Sequence, residues 1–260
     1  MRRFRFSRTA VALLALAGCR GTLSPLSNRL KIGEEPYIVF AADGEDGKGD
    51  LFASSANGGK IFQVTFTRVD ERAPALSPDG SILAFLRSLA PGDSSGVSVV
   101  LFNLLSGAER RADAPPGTMA VAWSADGSAL LVRATAGILR TSAPPQPMHL
   151  EPVPASGQAQ ADSLFRVLLG DPAVGEAGAC ASGAGVCARL ANGDSLTLSA
   201  EGSNPARWGT DSVAYLVRDN FVVRPLGGGT TRTVHWAGSI GHPRGLAYFG
   251  GPTRKTSTGR

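Results

Sequence analysis

The chain has 260 residues, of which 33 are glycine and 17 are proline, a composition that favours many short strands and tight turns over long helices. Its net charge of +5 depends on four N-terminal arginines, without which about +1 would remain: Arg2, Arg3, Arg5 and Arg8. No basic stripe with interleaved aromatic residues follows them, which argues against nucleic-acid binding. At this length the chain can bury a full core, as one large all-β domain or as two smaller ones.

The N-terminus has the pattern of a targeting segment. After the basic head comes an apolar run from Thr9 to Gly18, which at about ten residues is too short to span a bilayer. The run ends in Leu16-Ala17-Gly18-Cys19. This tetrad resembles the bacterial lipobox, in which cleavage before the cysteine is followed by acylation of that cysteine. We therefore predict that residues 1–18 are a lipoprotein signal peptide and that Cys19 is lipidated. The alternative is an ordinary secretory leader with an incidental cysteine.

The residues that follow Cys19 indicate where the protein is held. Residues 19–36 are polar and include Pro25 and Pro36, as expected of a lipid-anchored tether. Arg20 follows the cysteine in place of the Asp that resembles an inner-membrane retention signal. The predicted location is the cell envelope, with the periplasmic face of the outer membrane favoured over the inner membrane.

The first predicted strands surround an acidic, glycine-rich turn. Tyr37–Asp43, Leu51–Ser54 and Lys60–Phe66 read as strands. In the turn, four carboxylates could bind Ca²⁺: Asp43, Glu45, Asp46 and Asp50. Their spacing does not fit an EF-hand loop and the glycines are typical of turns, so we predict no metal site.

A turn motif recurs along the chain. In Ser77-Pro78-Asp79-Gly80, Pro78 presets φ, Asp79 can bond the backbone ahead of it, and Gly80 takes a positive φ. Ser124-Ala125-Asp126-Gly127 repeats the motif 47 positions later, and such a recurrence indicates a repeat architecture. We predict structural turn roles for all these positions: Ser77, Pro78, Asp79, Gly80, Ser124, Asp126 and Gly127. Asp79 and Asp126 are thus assigned to turns and not to acid–base chemistry.

Aligning the chain on this motif gives units of four short strands. The second unit has strands at Pro74–Ser77, Ile82–Arg87, Val97–Asn103 and Arg110–Ala112. The third has Met119–Ser124, Leu130–Arg133, Ile138–Ser142 and His149–Val153. The fourth, which is degraded, has Phe165–Pro172, a weak strand near Gly178–Cys180, Val186–Leu190 and Ser195–Ser199. The fifth has Ala206–Asp211, Val213–Val217, Phe221–Pro225 and Thr231–His235.

Four strands per unit predict an all-β fold, a β-propeller over residues 37–249. Pro243–Phe249 reads as a first strand with no unit after it, and the unit at Tyr37 lacks that strand. Pairing the two would hide two sheet edges. The prediction is five four-stranded blades closed by the C-terminal strand, with residues 250–260 as a disordered tail. Equivalent places in the five blades are assigned to Leu76, Trp123, Leu169, Trp208 and Tyr248.

These repeats resemble the TolB-type, WD40-like propeller repeat. The resemblance rests on Ser77–Gly80 with Ile82–Phe85, on Trp123–Gly127, and on Tyr37–Phe40 with Asp50–Phe52 and Gln63–Thr65. It covers residues 37–249 and is strongest in the first three units. It implies a β-propeller without the separate α/β domain that precedes the repeats in TolB, with a lipid anchor in its place. A TolB-like lipoprotein is therefore expected.

Few residues in the chain indicate a catalytic, metal-binding or covalent role. In a periplasmic chain Cys180 and Cys187 are expected to form a disulfide. Ser94 in Gly92–Gly96 fits a Gly-x-Ser-x-Gly elbow, but it lies in a loop between two predicted strands without the helix that the elbow needs. His149, His235 and His242 have no spacing that ties them to Ser94 or to a metal. We predict no catalytic residue and no cofactor. Trp123 and Trp208 are expected between blades, and Trp236 is the aromatic most expected at the surface.

The functional prediction is a non-catalytic envelope lipoprotein whose propeller is a protein-binding or adaptor scaffold. Its partners would be envelope proteins and, through the N-terminal lipid, the membrane. One alternative is a glycan- or peptide-binding module, or a hydrolase, that uses the central channel. That channel would need polar residues from several blades, whereas the predicted inner strands are mainly apolar. Another is a sensor or assembly subunit whose weak fourth blade is covered by a partner.

Overall fold

The computed structural model describes residues 26, 29–92, 96–124, 126–142, 148–157, 159, 177–180, 185–189, 195–208, 212–238 and 241–252. Cys19, Ser94 and Phe165–Pro172 lie outside these residues. The described residues form β-strands joined by turns, with a single 3-10 turn at Ala155–Gly157. In this part of the chain no helix has the length and apolar character needed to cross a membrane.

The strands follow one another in five groups along the chain. The first group is β1 (Tyr37–Asp43), β2 (Gly49–Ser55) and β3 (Gly59–Gln63). The second is β4 (Glu71–Leu76), β5 (Ile82–Ser88), β6 (Val97–Asn103) and β7 (Glu109–Asp113). The third is β8 (Ala120–Trp123), β9 (Ala129–Ala134), β10 (Gly137–Ser142) and β11 (Glu151–Pro152). The fourth is β12 (Ala177–Ala179), β13 (Val186–Arg189) and β14 (Ser195–Ser199). The fifth is β15 (Ser203–Trp208), β16 (Ser212–Val217), β17 (Asn220–Pro225) and β18 (Arg232–Val234), followed by β19 (Trp236–Ala237) and β20 (Gly241–Phe249).

Each group forms its own sheet, and together the sheets have a propeller-like, all-β arrangement. Four of the sheets have four or more strands, while β12–β14 form a sheet of three. The prediction of five four-stranded blades is therefore wrong, because within the described residues four blades have four or more strands. The three strands of the remaining sheet match the second, third and fourth strands of the degraded unit. The predicted first strand of that unit is Phe165–Pro172, which the structure does not describe.

The C-terminal segment lies on both edges of the first sheet. β20 pairs with β1 in antiparallel register, from Tyr37 opposite Phe249 to Asp43 opposite Gly241. β19 pairs in parallel with β3 at the other edge, with Trp236 opposite Gly59. The strand order across this sheet is β19-β3-β2-β1-β20. Both edges of the β1–β3 sheet are thus covered by chain from the end of the sequence.

The core lies between neighbouring sheets. Along β1, Tyr37, Val39 and Ala41 pack into a cluster shared with the β4–β7 sheet. The alternating residues Ile38, Phe40 and Ala42 pack into a cluster shared with the β15–β18 sheet. A third cluster joins the β4–β7 and β8–β11 sheets. Because side chains alternate along a strand, a strand covered on both faces must be apolar throughout, which explains the continuous run in β1.

The aromatic residues assigned to equivalent places lie on inner strands. Trp123 is buried, and its indole N–H donates to the Ala75 carbonyl in the next sheet at 3.2 Å. The Trp208 ring stacks on Tyr248 with 4.3 Å between centroids. Trp236, expected at the surface, instead packs half-buried against Phe40 at 5.0 Å between ring centroids. Leu169 lies outside the described residues.

The last part of the predicted tether packs on the propeller. Leu26 is fully buried in the cluster between the first two sheets, where Leu30 and Ile32 also pack. The Arg29 guanidinium lies over the Phe62 ring at 5.6 Å from its centroid. The chain is therefore docked against the folded domain before its first strand begins.

Candidate functional site

The connections between strands emerge on two opposite faces. On the face that we call the turn face, the Tyr37 hydroxyl at the start of β1 donates to the Gly80 carbonyl in the turn after β4. On the opposite face, which we call the Asp43 face, the Gly49 N–H at the start of β2 donates to Asp70 Oδ1, just before β4, at 2.9 Å. Asp43 ends β1 on this second face. Each face therefore brings together connections from neighbouring blades.

The turn after β4 is closed by its own side chains. The Ser77 hydroxyl donates to Asp79 Oδ1 at 2.6 Å and accepts the Ile82 N–H at 2.9 Å. The other carboxylate oxygen of Asp79 accepts the Ser81 hydroxyl at 2.8 Å. Gly80 has a φ of 71°. Burial works to raise the pKa of Asp79, but hydrogen bonds from Ser77 and Ser81 outweigh it and lower the pKa.

The turn after β8 repeats these contacts. Asp126 Oδ1 accepts hydrogen bonds from the Ser124 hydroxyl at 2.6 Å and from the Ser128 N–H at 3.0 Å. The Ser124 hydroxyl accepts the Ala129 N–H at 3.0 Å, and Gly127 has a φ of 72°. The hydrogen bonds from Ser124 and Ser128 lower the pKa of Asp126 to about 2. The carboxylates of Asp79 and Asp126 thus accept hydrogen bonds within their own turns, so their role is structural.

The turns also contact neighbouring blades. A Cβ added at Gly80 would lie 2.7 Å from the Phe249 ring, and one at Gly127 would lie 3.2 Å from Pro78. Tyr37 is buried beside Gly80, and this burial, with the nearby Asp79 charge, raises the pKa of its phenol far above the usual range. Glycine is therefore needed at these turns for its conformation and for its size.

On the Asp43 face, a group of three polar side chains joins the first strand, β1, to the last strand, β20. The Arg244 guanidinium donates to Asp43 Oδ1 at 2.6 Å, and His242 Nδ1 lies 2.7 Å from Asp43 Oδ2. Burial works to raise the pKa of Asp43, but the hydrogen bonds and charges of Arg244 and His242 lower it overall. The His242 side chain is 84% exposed. The His242 ring is therefore held in place by the Asp43 carboxylate on one side and is open to solvent on the other.

Three inner strands begin with the same backbone irregularity. Ala73, Asn204 and His242 have φ angles of 53°, 49° and 42°, although none is glycine. Each precedes a proline, and each lies at a register shift in its strand pairing. Such bulges redirect side chains at the ends of strands, and left-handed backbone at a non-glycine residue is strained. At His242 the bulge accompanies the pairing with Asp43.

A second ionic group lies inside the first two sheets. Glu71 is fully buried, and its Oε1 accepts the Arg87 Nε–H at 2.7 Å. Arg87 also pairs with Glu109 at 2.6 Å. Burial raises the pKa of Glu71, against the lowering effects of the Thr65 hydroxyl and Arg87. Nearby, burial also raises the pKa of Asp50, which accepts the Gln63 amide at 2.8 Å. These contacts hold β4, β5 and β7 together.

The acidic residues considered for Ca²⁺ are used in other ways. Asp43 is bound by Arg244 and His242, Asp50 by Gln63 and Thr67, and Asp46 accepts the Lys48 N–H at 3.0 Å. Within the described ranges, no group of three His, Cys, Asp or Glu side chains is placed to hold a metal. A disulfide joins Cys180, directly after β12, to Cys187 in β13.

Sequence reasoning missed Arg244 and Arg87. Each lies near the end of an apolar strand with no motif around it, and its acidic partner is distant in the sequence. The only available signal was charge: Asp43 and Arg87 stand at the ends of predicted strands, where strand pairing brings charges together. The sequence places His242 directly before a predicted strand, but nothing in it indicates the pairing with Asp43.

Exposed apolar side chains are concentrated on the Asp43 face. Among the described residues five large apolar side chains are exposed: Phe66, Leu89, Leu105, Met119 and Leu196. Phe66 lies between β3 and β4, Leu89 follows β5, and Met119 precedes β8. These three connections all emerge on the Asp43 face, at or beside the β4–β7 sheet. Leu105 lies in the connection between β6 and β7 on the opposite face, and Leu196 lies in β14, which belongs to another sheet.

Comparison with known proteins finds solved structures of low sequence identity. No family model matches the chain, and no curated protein sequence matches it. TolB from Acinetobacter baumannii is 12% identical over 82% of this chain and 66% of its own length, with a TM-score of 0.40. A putative TolB from Agrobacterium tumefaciens is 15% identical over 82% and 70%, with a TM-score of 0.36. A putative 6-phosphogluconolactonase from Bacteroides uniformis is 10% identical over 78% and 67%, with a TM-score of 0.30.

The chain thus spans about two thirds of the length of these proteins. Its own sheets and the turns that join them have a propeller-like, all-β arrangement.

Proposed function

We propose that this protein is a lipid-anchored, non-catalytic scaffold of the cell envelope that binds another protein through the Asp43 face. The observation that carries the proposal is the grouping of Phe66, Leu89 and Met119, which are 70%, 55% and 49% exposed. Large apolar side chains that cluster on the surface of a soluble domain mark contact sites for partners. The opposite face has polar turns whose carboxylates are satisfied internally.

The anchor in this proposal is Cys19. The leader pattern supports cleavage before it, and acyl chains would then hold the mature chain at the periplasmic face of the outer membrane. Leu26, which is docked on the propeller, lies seven positions after Cys19, and a chain of that length spans at most about 25 Å. A lipidated Cys19 would therefore keep the propeller next to the bilayer.

Lipidation and partner binding are tested separately. Mass spectrometry of the mature N-terminal peptide should find an acylated Cys19 in the wild type, and Cys19→Ser should release the protein from membranes. Cross-linking on intact membranes, followed by affinity capture, should recover one envelope protein in a fixed ratio. An unmodified N-terminus would refute the anchor, and the absence of any cross-linked protein would refute the scaffold.

The second candidate function is hydrolysis at the channel mouth, and the Asp43–His242 pair favours it. A carboxylate that orients a histidine is a feature of general-base sites, and His242 is largely open to solvent. The test is release of product from peptidoglycan fragments and from a p-nitrophenyl ester by the wild type and by His242→Ala. We expect no turnover by either protein, whereas turnover that disappears in the variant would establish the enzyme.

A further inference from the structure

The docked segment, which we define as residues 26 and 29–36, reaches the turn face between the first two sheets. The Pro36 carbonyl accepts the Ala56 N–H at 3.1 Å, in the connection between β2 and β3. A Cβ added at Gly33 would lie 3.4 Å from the Asp79 carbonyl, in the turn after β4. Both neighbours belong to the turn face, so the docked segment lies against that face before β1 begins.

The start of the docked segment is held in the same region. The Leu26 carbonyl accepts the Arg29 N–H at 2.9 Å and the Leu30 N–H at 3.3 Å, so the chain makes a compact turn here. Leu26 is fully buried in the apolar cluster that also contains Leu104. The Leu104 N–H in turn donates to the Ser81 carbonyl, in the turn after β4, at 2.9 Å.

One large exposed apolar side chain lies at the edge of this cluster. Leu105 follows Leu104 in the connection between β6 and β7 and is 60% exposed. Its N–H donates to the Asn103 side-chain oxygen at 3.0 Å, which closes the connection. Leu105 therefore projects from the turn face, in the part of that face where the docked segment is held.

A short tether limits how the propeller can lie on a membrane. Leu26 comes seven positions after Cys19, so at most about 25 Å of chain joins them. A compact domain of this size is about 40 Å across. Because the tether is too short to pass around the domain, the side that carries the docked segment must lie nearest to the bilayer.

Resting on the proposed function, we propose that the turn face between the first two sheets is held against the bilayer, with Leu105 at the lipid headgroups. Apolar side chains are suited to the boundary between headgroups and acyl chains. The Asp43 face, on the opposite side, is then directed away from the membrane. A partner protein reaches that face without displacing lipid.

The test places one fluorophore on each face of the acylated full-length protein. Leu105→Cys and Leu89→Cys are matched sites, because the two leucines are 60% and 55% exposed and Leu89 follows β5 on the Asp43 face. The chain has three cysteines. With Cys19 acylated and Cys180 joined to Cys187, the introduced thiol is the one that takes the label.

Each labelled protein is bound to vesicles of phosphatidylethanolamine and phosphatidylglycerol that also contain a lipid with a nitroxide on its headgroup. The nitroxide quenches nearby fluorophores. The label at position 105 should lose most of its fluorescence, whereas the label at position 89 should keep most of its own. Thermal melts check that both variants fold. Equal quenching of the two labels, or stronger quenching at position 89, would overturn the proposed orientation.

A longer tether tests the cause of the orientation. A flexible Gly-Ser spacer inserted after Gly21 would let the domain turn over, and should remove most of the difference between the two labels. Leu105 alone cannot maintain the orientation, since even a single acyl chain binds a membrane only marginally. A difference that survives the spacer would show that tether length does not set the orientation, and would overturn the proposal.

Flotation with the vesicles separates this inference from the proposed function. If the wild type floats but the two labels are quenched equally, the lipid anchor stands and the orientation fails. If mass spectrometry finds Cys19 unmodified and the protein does not float, the anchor fails and the orientation fails with it.

Discussion

Gly80 and Gly47 have nearly the same left-handed backbone, with φ angles of 71° and 72°, but different surroundings. An added Cβ at Gly80 would lie 2.7 Å from the Phe249 ring, whereas one at Gly47 meets nothing within 4 Å. Gly80→Ala should therefore lower the free energy of unfolding by about 3 kcal/mol, from backbone strain and overpacking together. Urea denaturation measures this loss.

Gly47→Ala is the control for backbone strain alone and should lower the free energy of unfolding by only about 1 kcal/mol. Equal losses at the two positions would mean that the contact between the turn and Phe249 is unimportant.

Asp126 makes the stability of the folded protein depend on pH in the acid range. Its hydrogen bonds with Ser124 and Ser128 lower its pKa to about 2, below the value of about 3.9 expected in the unfolded chain. The stabilisation is therefore present above pH 4 and is lost as the pH falls towards 2. Asp126→Asn should flatten the fall in melting temperature across this range, as measured by thermal scans at several pH values.

Ser124→Ala removes the hydroxyl donor while keeping the carboxylate, and should flatten the same part of the curve. A curve for either variant that parallels the wild type between pH 4 and pH 2 would contradict this role of the turn.

At the scale of elements, Arg87 connects β4, β5 and β7 through its two acidic partners. Arg87→Met would leave the fully buried Glu71 charge without its partner, and such losses amount to about 3 kcal/mol. The double variant Glu71→Gln with Arg87→Met removes both charges and should be much closer to the wild type in urea denaturation at pH 7.

The loss of stability in the Arg87→Met variant should become smaller as the pH falls. Burial raises the pKa of Glu71 in the folded protein, and removing Arg87 takes away one of the influences that lower it. The charged form then opposes folding above that pKa, so stability should recover as the pH falls through it. A deficit that stays constant with pH would exclude the buried charge as its cause.

At the scale of the whole molecule, β20 is the inner strand of the first sheet. Ending the chain at residue 240 would uncover the β1 edge and remove the Tyr37–Phe249 and Trp208–Tyr248 ring contacts. Exposed edges promote association between chains, so size-exclusion chromatography should show aggregates in place of a monomer.

A synthetic peptide of residues 241–252 should restore the monomer when it is added during refolding. The same peptide with Leu246→Asp should fail, because Leu246 is buried between the first and last sheets. A truncated chain that stays monomeric without the peptide would contradict this role of β20.

The features that could be predicted from sequence are the local ones. The turns at Ser77–Ser81 and Ser124–Ser128 are closed by hydrogen bonds between residues two to five positions apart, so their residue types alone indicate them. The alternation of Tyr37–Ala42 between two neighbours likewise follows from a continuous apolar run. The same local patterns allowed the pairing of β20 with β1 to be anticipated by counting strands.

The features that could not be predicted depend on residues far apart in the chain. Asp43 and His242 are separated by 199 positions, and the acidic turn around Asp43 gives no indication of this pairing when read alone. Trp236 was expected at the surface, because only the pairing of β19 with β3 brings it against Phe40. The grouping of Phe66, Leu89 and Met119 likewise requires knowing where three separate connections emerge.

The position of β19 and β20 on either side of β1–β3 also affects when the protein can fold. The ribosome makes β1 first, yet this strand lacks an inner neighbour until residue 249 has been synthesised. The earliest-made sheet therefore stays incomplete until the latest-made strand arrives, so the order of translation ties completion of the first sheet to the end of synthesis.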